Sequence, residues 1–597
     1  MKSNNFVRKL LLLALIFVGS AASAFALSIT KEKGWLESVC AEWLPVENAA
    51  RYEVFVSDGN GLSEKLDDHL IRRYADHFRA DAVGLTAGMY TLTVKALDNN
   101  GQEMETATTT PLEAKAQIRE GFAFTADNVP GAYTKEGNLK DGATVLYVTD
   151  TNINTITCKV KDKKGVATEY TGLGAILEAF GKGYDKTPLC VRMIGQIYAE
   201  NFTGIKDGNY LNLQGSNKTD RRLQGVTVEG IGDDASLYGF GITMKRTLNI
   251  EIKNLGIMLF GDDAVSLDTD NSHIWIHNVD FFYGKPGSDA DQVKGDGSID
   301  IKYRSTDISI AFNHFFDSGK VMGCGGATGE DENLRITFHH NWFDHADSRC
   351  PRLHYVTAHI YNNYYDGVSV YGMGNTSESS AFVEGNYFRE VKRPMMISGQ
   401  GTDKYDETSG TYSLKGTFSG QNGGMTKAFN NMFINERTKL KLVYQTDNAT
   451  QFDAYLVSKR EETVPDSVKS VTGSWSYNNF DTAADMYECT PDEPEQIPDL
   501  VSSMAGRMDG GDLKWQFDNA TDDENHDVNT SLKAAIQSYK CSFVGFQDDS
   551  TDGISQVRSA NSNDKQQVFN LCGQKTNNAR NGIFIVKGNR TRKVAVK

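Results

Sequence analysis

The sequence of 597 residues is short of proline, of basic charge and of long apolar runs. Only 11 prolines stand against 56 glycines, a balance that favours a β-rich, turn-rich protein. The formal net charge of −16 excludes a nucleic-acid coat and a general binder of anionic membranes, since both carry a basic balance. Beyond the N-terminus no stretch approaches about 18 apolar residues, so we expect no membrane span.

The cysteines and the N-terminus indicate the compartment. The eight cysteines form no C-x-x-C pair, which argues against a zinc site and against a disulfide-dense scaffold. One or two disulfides stay open, and the sequence does not pair them. Residues 1–26 are typical of a secretory signal peptide, because Arg8 and Lys9 precede an apolar run to about Val18 and small residues follow. We therefore expect a secreted or cell-envelope protein.

Residues 28–115 predict a small β-sandwich. Apolar and polar residues alternate in three runs that contain Trp43, Tyr52 and Tyr90, which is the period of a half-buried strand. These aromatic positions resemble the core of fibronectin type III modules. We expect a structural spacer packed on the next domain, with carbohydrate contact as the alternative role.

A repeat occupies the middle of the chain, where a short apolar strand, then Asn or a polar substitute, then an aromatic pair recur. The markers lie 22 to 48 residues apart, at Gly256, Asp280, Asn313, Asn341, Asn363, Asn386, Asn431 and Asn479. This spacing predicts an all-β parallel β-helix with stacked asparagines at a turn and stacked aromatics inside, the longer steps holding inserted loops or two coils. A β-propeller would need about 40–50 residues per blade.

The ends of such a solenoid need covers. Residues 167–181 predict a short amphipathic helix over the N-terminal end, and residues 500–545 predict a cap on the C-terminal side. The polar residues 546–566 indicate a linker. Residues 567–597 contain basic residues and no acid, and they resemble the C-terminal secretion or anchoring tails of Bacteroidetes extracellular proteins.

Polar clusters between residues 260 and 355 are the candidates for chemistry. Their members are Asp262, Asp263, Asp296, Asp300, Lys302, Lys320, Arg349, Arg352 and His354. Successive coils of a parallel solenoid stack about 4.8 Å apart, so carboxylates far apart in sequence converge. Asp263, Asp296 and Asp300, with Asp262 as a further candidate, predict an oxygen-only site suited to Ca²⁺. Lys320 and Arg349 would lie on the same face.

The order of these clusters resembles pectate lyases of polysaccharide lyase family 1, over roughly residues 120–545. The matching stretches are Asp263 to Val265 with His273 to His277, Asp296 to Lys302, Lys320 to Gly325, and Phe338 to Phe343 with Arg349-x-Pro351 and Ala358 to Asn363. The resemblance implies a right-handed parallel β-helix that cleaves α-1,4-polygalacturonate by Ca²⁺-assisted β-elimination to 4,5-unsaturated oligogalacturonides. It also implies Arg349 as the catalytic base, and as substrate-binding residues Lys302, Lys320, Arg352 and His354.

Three positions depart from the family pattern. His277-Asn278 stands where the family has Asp-His, and Gly261 stands at the first calcium acid, with Asp262 adjacent. His354 replaces the second arginine of the R-x-P-x-x-R motif, with Arg352 two residues earlier as a substitute. The last change bears on the affinity for substrate carboxylates.

Three other functions compete with this interpretation. A polygalacturonase-type hydrolase would use the Asp262-Asp263 pair, but the chain has no Gly-His dipeptide, and Asp300-Ile-Lys302 replaces the Arg-Ile-Lys of that family. A pectin lyase would lack the calcium acids. A non-catalytic pectin-binding solenoid would not need Lys320 and Arg349 beside the acids. We therefore predict a monomeric pectate lyase whose partner is polygalacturonate, with no nucleic-acid partner.

Overall fold

The computed structural model describes residues 27–205, 209–287, 292–326, 334–413, 415–437, 440–471 and 475–547, with the backbone of five short strands after residue 553. The predicted signal peptide, residues 1–26, lies outside the described residues. The α-helices are short: Leu173–Gly181, Ile497–Met504, Asn519–Asp522 and Thr530–Ser538. Short 3-10 segments occur at Asp68–Leu70, Phe122–Asp127, Ala199–Asn201, Thr219–Arg221, Gly401–Asp403, Phe480–Thr482, Pro494–Gln496 and Met508–Gly510.

Three long parallel sheets form the main body, and the chain visits them in turn, so that each circuit makes one coil. The first sheet contains Thr144–Val148, Leu189–Met193, Leu223–Gly230, Thr247–Lys253, Ser272–His277, Thr306–Ala311, Leu334–His339, Val356–Tyr361, Ser380–Glu384, Met425–Phe429 and Tyr455–Leu456. The second contains Gln196–Tyr198, Ser236–Tyr238, Gly256–Met258, Asp280–Phe281, His314–Phe316, Trp342–Asp344, Tyr364–Asp366, Tyr387–Arg389 and Met432–Ile434. The third contains Tyr210–Gln214, Gly241–Lys245, Val265–Thr269, Ile299–Ile301, Met322–Cys324, Arg352–Leu353, Met373–Asn375 and Met395–Ile397. The predicted parallel β-helix is confirmed.

The coils stack because the same inward position is apolar in each. On the first sheet Ile250, Ile274, Ile308 and Ile336 lie in register on successive strands and are fully buried. Complete burial of one such side chain is worth about 1.5–3 kcal/mol. The second sheet adds the predicted aromatic stack, with centroids 4.4–5.3 Å apart between consecutive members of the series Phe281, Phe315, Phe343, Tyr365 and Phe388.

An asparagine ladder follows the turn between the first and second sheets, as predicted. Each side-chain amide donates to the Oδ1 of the asparagine one coil on, at 2.9–3.0 Å. The same Oδ1 accepts the backbone N–H of the previous asparagine at 2.9–3.1 Å. The members are Asn313, Asn341, Asn363, Asn386 and Asn431. Because each side chain fills the bonding needs of its neighbours, the buried polar turn stays satisfied along several coils.

Three of the predicted markers lie off this ladder. Val279 holds the ladder position before Asn313, because its N–H donates to the Asn313 Oδ1 at 3.1 Å. The predicted markers Gly256 and Asp280 are one residue further on, paired with each other on the second sheet. Asn479 accepts instead from the Val464 N–H at 2.8 Å. The long step from Asn386 to Asn431 is a single coil with an inserted loop, since Ser380–Glu384 pairs directly with Met425–Phe429.

The predicted N-terminal cap is confirmed but begins later than expected. Residues 167–171 form a strand, Ala167–Thr171, that pairs with Thr157–Lys161, and the helix spans Leu173–Gly181. Its start follows Gly172, whose φ of 85° favours glycine. Leu173, Ile176 and Phe180 enter the β-helix core.

The second predicted cap covers a flank instead of an end. The helix Thr530–Ser538 places Leu532 and Ile536 against Met258, Phe282 and Phe316, which belong to middle coils. Those apolar residues project from the second sheet, so covering them removes their surface from water. The prediction of a cap on the C-terminal side is therefore wrong for this helix.

Residues 28–115 form the predicted β-sandwich. One sheet contains Ile29–Trp35, Ser38–Trp43, Phe78–Val83 and Ile71–Tyr74, and the other contains Ser63–Lys65, Arg51–Ser57, Gly88–Leu97 and Glu103–Thr108, with Leu112–Ala114 beside Gly88–Leu97. Trp43 and Tyr52 meet edge-on in the core, 5.3 Å between ring centroids. The fibronectin type III resemblance and the domain boundaries stay predictions.

The sandwich is fixed to the β-helix by a strand and by buried charge. Phe543–Phe546 pairs antiparallel with Ile71–Tyr74 and extends the first sheet of the sandwich. Arg72 is fully buried, pairs with Asp81 and donates to the Ile231 carbonyl at 2.8 Å. Arg79 pairs with Asp233 at 2.6 Å. The contacts agree with a packed spacer.

The C-terminal strands lie in two places. Ile554–Gln556, within the stretch predicted as a linker, pairs antiparallel with Thr144–Val148. In the predicted tail, a four-stranded antiparallel sheet contains Gln567–Phe569, Lys575–Thr576, Gly582–Lys587 and Thr591–Val596. The seven cysteines in the described ranges are free thiols. None of the helices described is long and apolar enough to cross a bilayer.

Candidate active site

The outward positions of the third sheet form the floor of the candidate site. Ser266, Asp300, Gly323 and Arg352 lie in register on four successive coils. Their strand neighbours, such as Ile299 and others that point the opposite way, are buried in the core. Successive coils thus place a hydroxyl, a carboxylate, a glycine without a side chain and a guanidinium along one line. We call these four positions the outward line.

Three carboxylates converge beside this line. Oxygens of Asp262, Asp263 and Asp296 all lie within 4.8 Å of one another. Tyr210 organises two of them, because its hydroxyl donates to Asp262 at 3.0 Å and accepts the Asp263 backbone N–H at 2.8 Å. Asp296 is held by the side-chain amide of Gln292 at 2.7 Å. The sequence prediction that Asp263 and Asp296 come together, with Asp262 adjacent, agrees with this arrangement.

Asp300 faces the same space. A Cβ on Gly297 would lie 2.8 Å from the Asp300 Oδ1 and 3.0 Å from the Asp263 Oδ1. The absence of a side chain at Gly297 therefore keeps room between the two carboxylates. The Gly323 N–H donates to the Asp300 Oδ1 at 3.1 Å and orients it.

Two lysines neutralise part of the acid charge. The Lys302 ammonium is 3.3 Å from Asp263 and 3.2 Å from Asp300, and Lys320 is 3.6 Å from Asp296. Burial and the nearby Asp300 charge nevertheless raise the pKa of Asp263 to about 7, although Lys302 opposes them. At neutral pH this carboxyl is crowded by like charge, a condition that a bound cation relieves.

Arg349 lies one coil beyond Lys320. Its backbone has a φ of 59°, in the left-handed region, and its carbonyl accepts the Met322 N–H at 2.8 Å. Ser348, the residue before Arg349, forms an isolated parallel β-bridge with Lys320. Arg352 is bound by the side chain of Gln421 at 2.5 Å. Burial lowers the pKa of Arg352, and the Arg349 charge lowers it further, so these two cations act on each other.

His354 is placed differently from the other predicted residues. It is only 2% exposed, and its ring meets Tyr355 edge-on, 4.5 Å between centroids. The backbone N–H of His354 donates to the Cys324 carbonyl at 2.9 Å. Arg352, two residues earlier, is half-buried and on the outward line. The role of His354 in substrate binding stays a prediction.

A buried lysine that sequence reasoning missed joins the two halves of the site. The Lys294 ammonium is 2.5 Å from Asp317 and 2.9 Å from Asp347. Ser369 also donates to Asp347 at 2.7 Å. Lys294 precedes Asp296 by two residues, and Asp347 precedes Arg349 by two, so the ion pairs fix the acid segment relative to the Arg349 segment. Burial raises the pKa of Asp347 to about 7, although Lys294 opposes it.

Two other groups of potential ligands are already engaged in ion pairs. His359 lies 2.8 Å from Glu384, which also takes the Arg460 guanidinium. His345 pairs with Asp344 at 2.6 Å and with Asp523 at 3.2 Å. His339 is a stacked side chain, with its ring on that of Tyr361 and centroids 5.0 Å apart.

Comparisons with known proteins show that part of this chain is similar to pectate lyases. Residues 207–435 match the family model for pectate lyase. The segment is similar to a pectate trisaccharide-lyase of Bacillus licheniformis, 30% identical over 31% of this chain and 54% of the relative. It is also similar to pectate lyase A of Emericella nidulans, 33% identical over 30% of this chain and 54% of the relative. The chain thus spans about half the length of the curated relatives it matches.

Among solved structures, the chain is similar to a pectate lyase of Bacillus sp. N165 in complex with trigalacturonate. That likeness has a TM-score of 0.44 and 19% identity, over 65% of this chain and 99% of the other.

Proposed function

We propose that the chain is a secreted or cell-envelope, monomeric pectate lyase that cleaves α-1,4-polygalacturonate by Ca²⁺-assisted β-elimination and releases 4,5-unsaturated oligogalacturonides. One observation carries the proposal: the carboxylates of Asp262, Asp263 and Asp296 converge beside the line of the third sheet that carries Asp300 and Arg352. A polymer of carboxylates needs cations at both its binding and its reacting positions. An acid cluster that recruits a divalent cation, next to arginines, supplies both.

The donor set fits a hard divalent cation. Carboxylate oxygens are the ligands that Ca²⁺ takes, at 2.3–2.6 Å in flexible geometry. The oxygens of Asp262, Asp263 and Asp296 are close enough to share one ion, and Asp300 faces the same space across Gly297. Burial, together with the charge of Asp300, raises the pKa of Asp263, and a bound cation would stabilise the ionised carboxylate against both effects. We therefore propose these four aspartates as the calcium ligands.

Elimination begins with a proton that is hard to remove. The C5 proton of a galacturonate unit is alpha to a carboxylate, so its removal places a second negative charge beside the first. Bound calcium would neutralise the substrate carboxylate and so lower that cost. We propose that the Arg349 guanidine accepts the C5 proton while Lys302, Lys320 and Arg352 bind neighbouring carboxylates. A guanidinium is ordinarily protonated, so this role requires the dense positive charge of Lys320 and Arg352 to favour the neutral guanidine.

The rest of the reaction is bond rearrangement. The C5–H electron pair becomes the C4–C5 double bond, and the C4–O glycosidic bond breaks. The leaving oxygen takes a proton from solvent, and no water is consumed. In the same proposal Lys294 is a positioning residue, because its ion pairs to Asp317 and Asp347 set the distance between the acid cluster and Arg349.

The assay uses polygalacturonate as substrate and follows the absorbance of the unsaturated uronide together with the reducing ends. We expect both signals to rise together with Ca²⁺ and to stop with excess chelator. Reducing ends without the unsaturated product would instead support the polygalacturonase-type hydrolase. Absence of both would support the non-catalytic pectin-binding solenoid. Cleavage that survives the chelator and prefers methyl-esterified polymer would support a pectin lyase.

A further inference from the structure

A second cavity opens at the N-terminal end of the third sheet. Its volume is about 720 Å³, within the usual range for ligand sites. Its walls come from the helix Leu173–Gly181, the strand Tyr210–Gln214 and the loop that follows this strand. We call it the distal pocket, defined by Lys182, Tyr184, Asn212, Gln214, Arg221 and Arg246.

The distal pocket and the acid cluster lie along the same face of the third sheet. Asn212 is in register with Thr243, Thr243 with Ser266, and Ser266 with Asp300. Three steps of about 4.8 Å place Asn212 roughly 14 Å from Asp300 along the sheet. A short oligosaccharide lying along the third sheet spans that distance. An extended polymer held at the acid cluster therefore reaches the distal pocket when it runs toward the N-terminal coils.

The charge of the distal pocket is opposite to that of the chain. Lys182, Arg221 and Arg246 line it, against one carboxylate, that of Glu178, among its described lining residues. The chain as a whole carries −16. A local excess of cations on an acidic protein attracts an anionic ligand to this place in preference to the surrounding surface.

The side chains are arranged for a sugar acid. Tyr184 is 38% exposed, and the Arg221 guanidinium lies 5.1 Å from its ring centroid. Arg221 also donates to the Tyr184 hydroxyl at 2.6 Å, so the cation is held in place beside the ring. The Arg246 Nε donates to the Gly215 carbonyl at 3.1 Å, which fixes the second guanidinium at the rim. A guanidinium fork binds a carboxylate in a planar, two-point manner, and an aromatic ring supplies an apolar surface for a sugar ring.

From this geometry we infer that the distal pocket is a remote binding site for a carboxylated sugar unit of the polymer that is cleaved at the acid cluster. The inference rests on the proposed function. It adds that affinity grows with chain length, because units far from the scissile bond contact Arg221 and Arg246. Binding energy from such remote units improves capture of long substrates over short ones.

The kinetic test uses a double variant that carries both Arg221→Gln and Arg246→Gln. Its KM is compared with that of the parent, on polygalacturonate and on trigalacturonate. We expect KM for the polymer to rise about tenfold or more, and to rise at least about tenfold more than KM for the trimer, since two charge-assisted hydrogen bonds are lost. The matched control is Arg51→Gln with Arg73→Gln on the β-sandwich, which changes the net charge equally and leaves KM unchanged. Thermal unfolding of both double variants verifies that they fold.

A binding measurement removes catalysis from the question. In the Arg349→Ala background, titration calorimetry with saturated oligogalacturonates of increasing length should show tighter binding of the longer chains. The added Arg221→Gln and Arg246→Gln changes should abolish that gain. Equal affinity with and without these changes would overturn the inference, even in a protein that cleaves pectate. A parent that yields no unsaturated product and binds no oligomer would instead overturn the proposed function, together with this inference.

Discussion

The asparagine turn and the outward line of the third sheet are built on the same coils but differ in one respect. At the turn each coil contributes the same residue, and Asn341, Asn363 and Asn386 satisfy one another. On the third sheet each coil contributes a different residue, such as Asp300 and then Arg352 two coils on. Repetition at the turn stabilises the solenoid, and variation on the sheet creates a site that the same backbone can carry.

This difference predicts that the two regions separate stability from activity. A ladder residue has partners above and below it, so its loss leaves buried polar groups unpaired. A residue on the outward line borders the groove, where water replaces lost contacts. Substitutions at the turn should therefore lower the free energy of unfolding and leave catalysis unchanged. Substitutions along the outward line should reduce catalysis and leave the free energy of unfolding nearly unchanged.

The largest effect is expected for Arg349→Ala. Loss of the base should reduce kcat on polygalacturonate by at least about 100-fold, the usual contribution of a general base. The midpoint of thermal unfolding should change little, because the Arg349 carbonyl is held by the Met322 N–H on the preceding coil. Arg51→Ala on the β-sandwich is the control. Residual activity within a few-fold of the parent would contradict the assignment of Arg349.

A buried line of unlike residues on the second sheet provides a second test of the comparison. Asp344, Asp366 and Arg389 lie in register on the second sheet and enclose His345. Although burial opposes it, hydrogen bonds to Asp344 and Asp523 raise the pKa of His345 from 6.5 to about 10. A raised pKa in the folded state stabilises the fold below about pH 6.5, and that stability is lost as the pH rises through 10.

We therefore expect the free energy of unfolding to fall by a few kcal/mol between pH 6.5 and 10, since one pKa unit is worth about 1.4 kcal/mol. Urea unfolding at several pH values measures it. His345→Gln should flatten this slope. A variant with the same slope as the parent would show that other groups cause it.

The ladder itself is tested by Asn363→Ala. The side-chain amide of Asn363 donates to the Phe338 carbonyl at 2.9 Å and to Asn386 at 3.0 Å. Its removal also takes the Asn363 Oδ1 away from the backbone N–H and the side-chain amide of Asn341, so buried hydrogen bonds are lost at a cost of about 1–3 kcal/mol. Urea unfolding measures this loss, and kcat per folded molecule should stay at the parent value. The exposed Asn60→Ala serves as the matched control, and an equal loss in both would reject the ladder as a special source of stability.

The smallest effect concerns calcium and stability. An ion that binds the folded chain should raise the melting temperature by a few degrees at saturating Ca²⁺. Asp263→Asn should reduce this shift, and Asp58→Asn on the β-sandwich should retain it. Differential scanning calorimetry with and without chelator gives the result. An identical shift in the Asp263 variant and the parent would place the ion elsewhere.

The sequence predicts the repeated parts of the fold because repetition is visible along the chain. Asn341, Asn363 and Asn386 are separated by steps of 22 and 23 residues, and the structure places them one above another. The markers Gly256 and Asp280 failed because the ladder position before Asn313 is held by Val279, whose side chain has no amide. The placement of helix Thr530–Ser538 failed because the outward aromatics that it covers belong to middle coils.

The convergence of Asp263 and Asp296 could be predicted because the coils of a parallel solenoid stack closely, and the structure brings these two carboxylates together. The role of Arg349 came from the family resemblance alone and stays a prediction. Tyr210 lies 52 residues before Asp262, outside every motif, and no local pattern marks its contact with that carboxylate. Lys294 was missed for a similar reason, since its partners Asp317 and Asp347 lie 23 and 53 residues away.

The most direct test of elimination is the mass of the two products formed from one saturated oligogalacturonate of defined length. Elimination divides the substrate without adding water, so the two product masses should sum to the mass of the substrate. The shorter and longer fragments are separated and weighed by mass spectrometry after limited cleavage with Ca²⁺. A sum that exceeds the substrate by one water would show hydrolysis and would contradict the account.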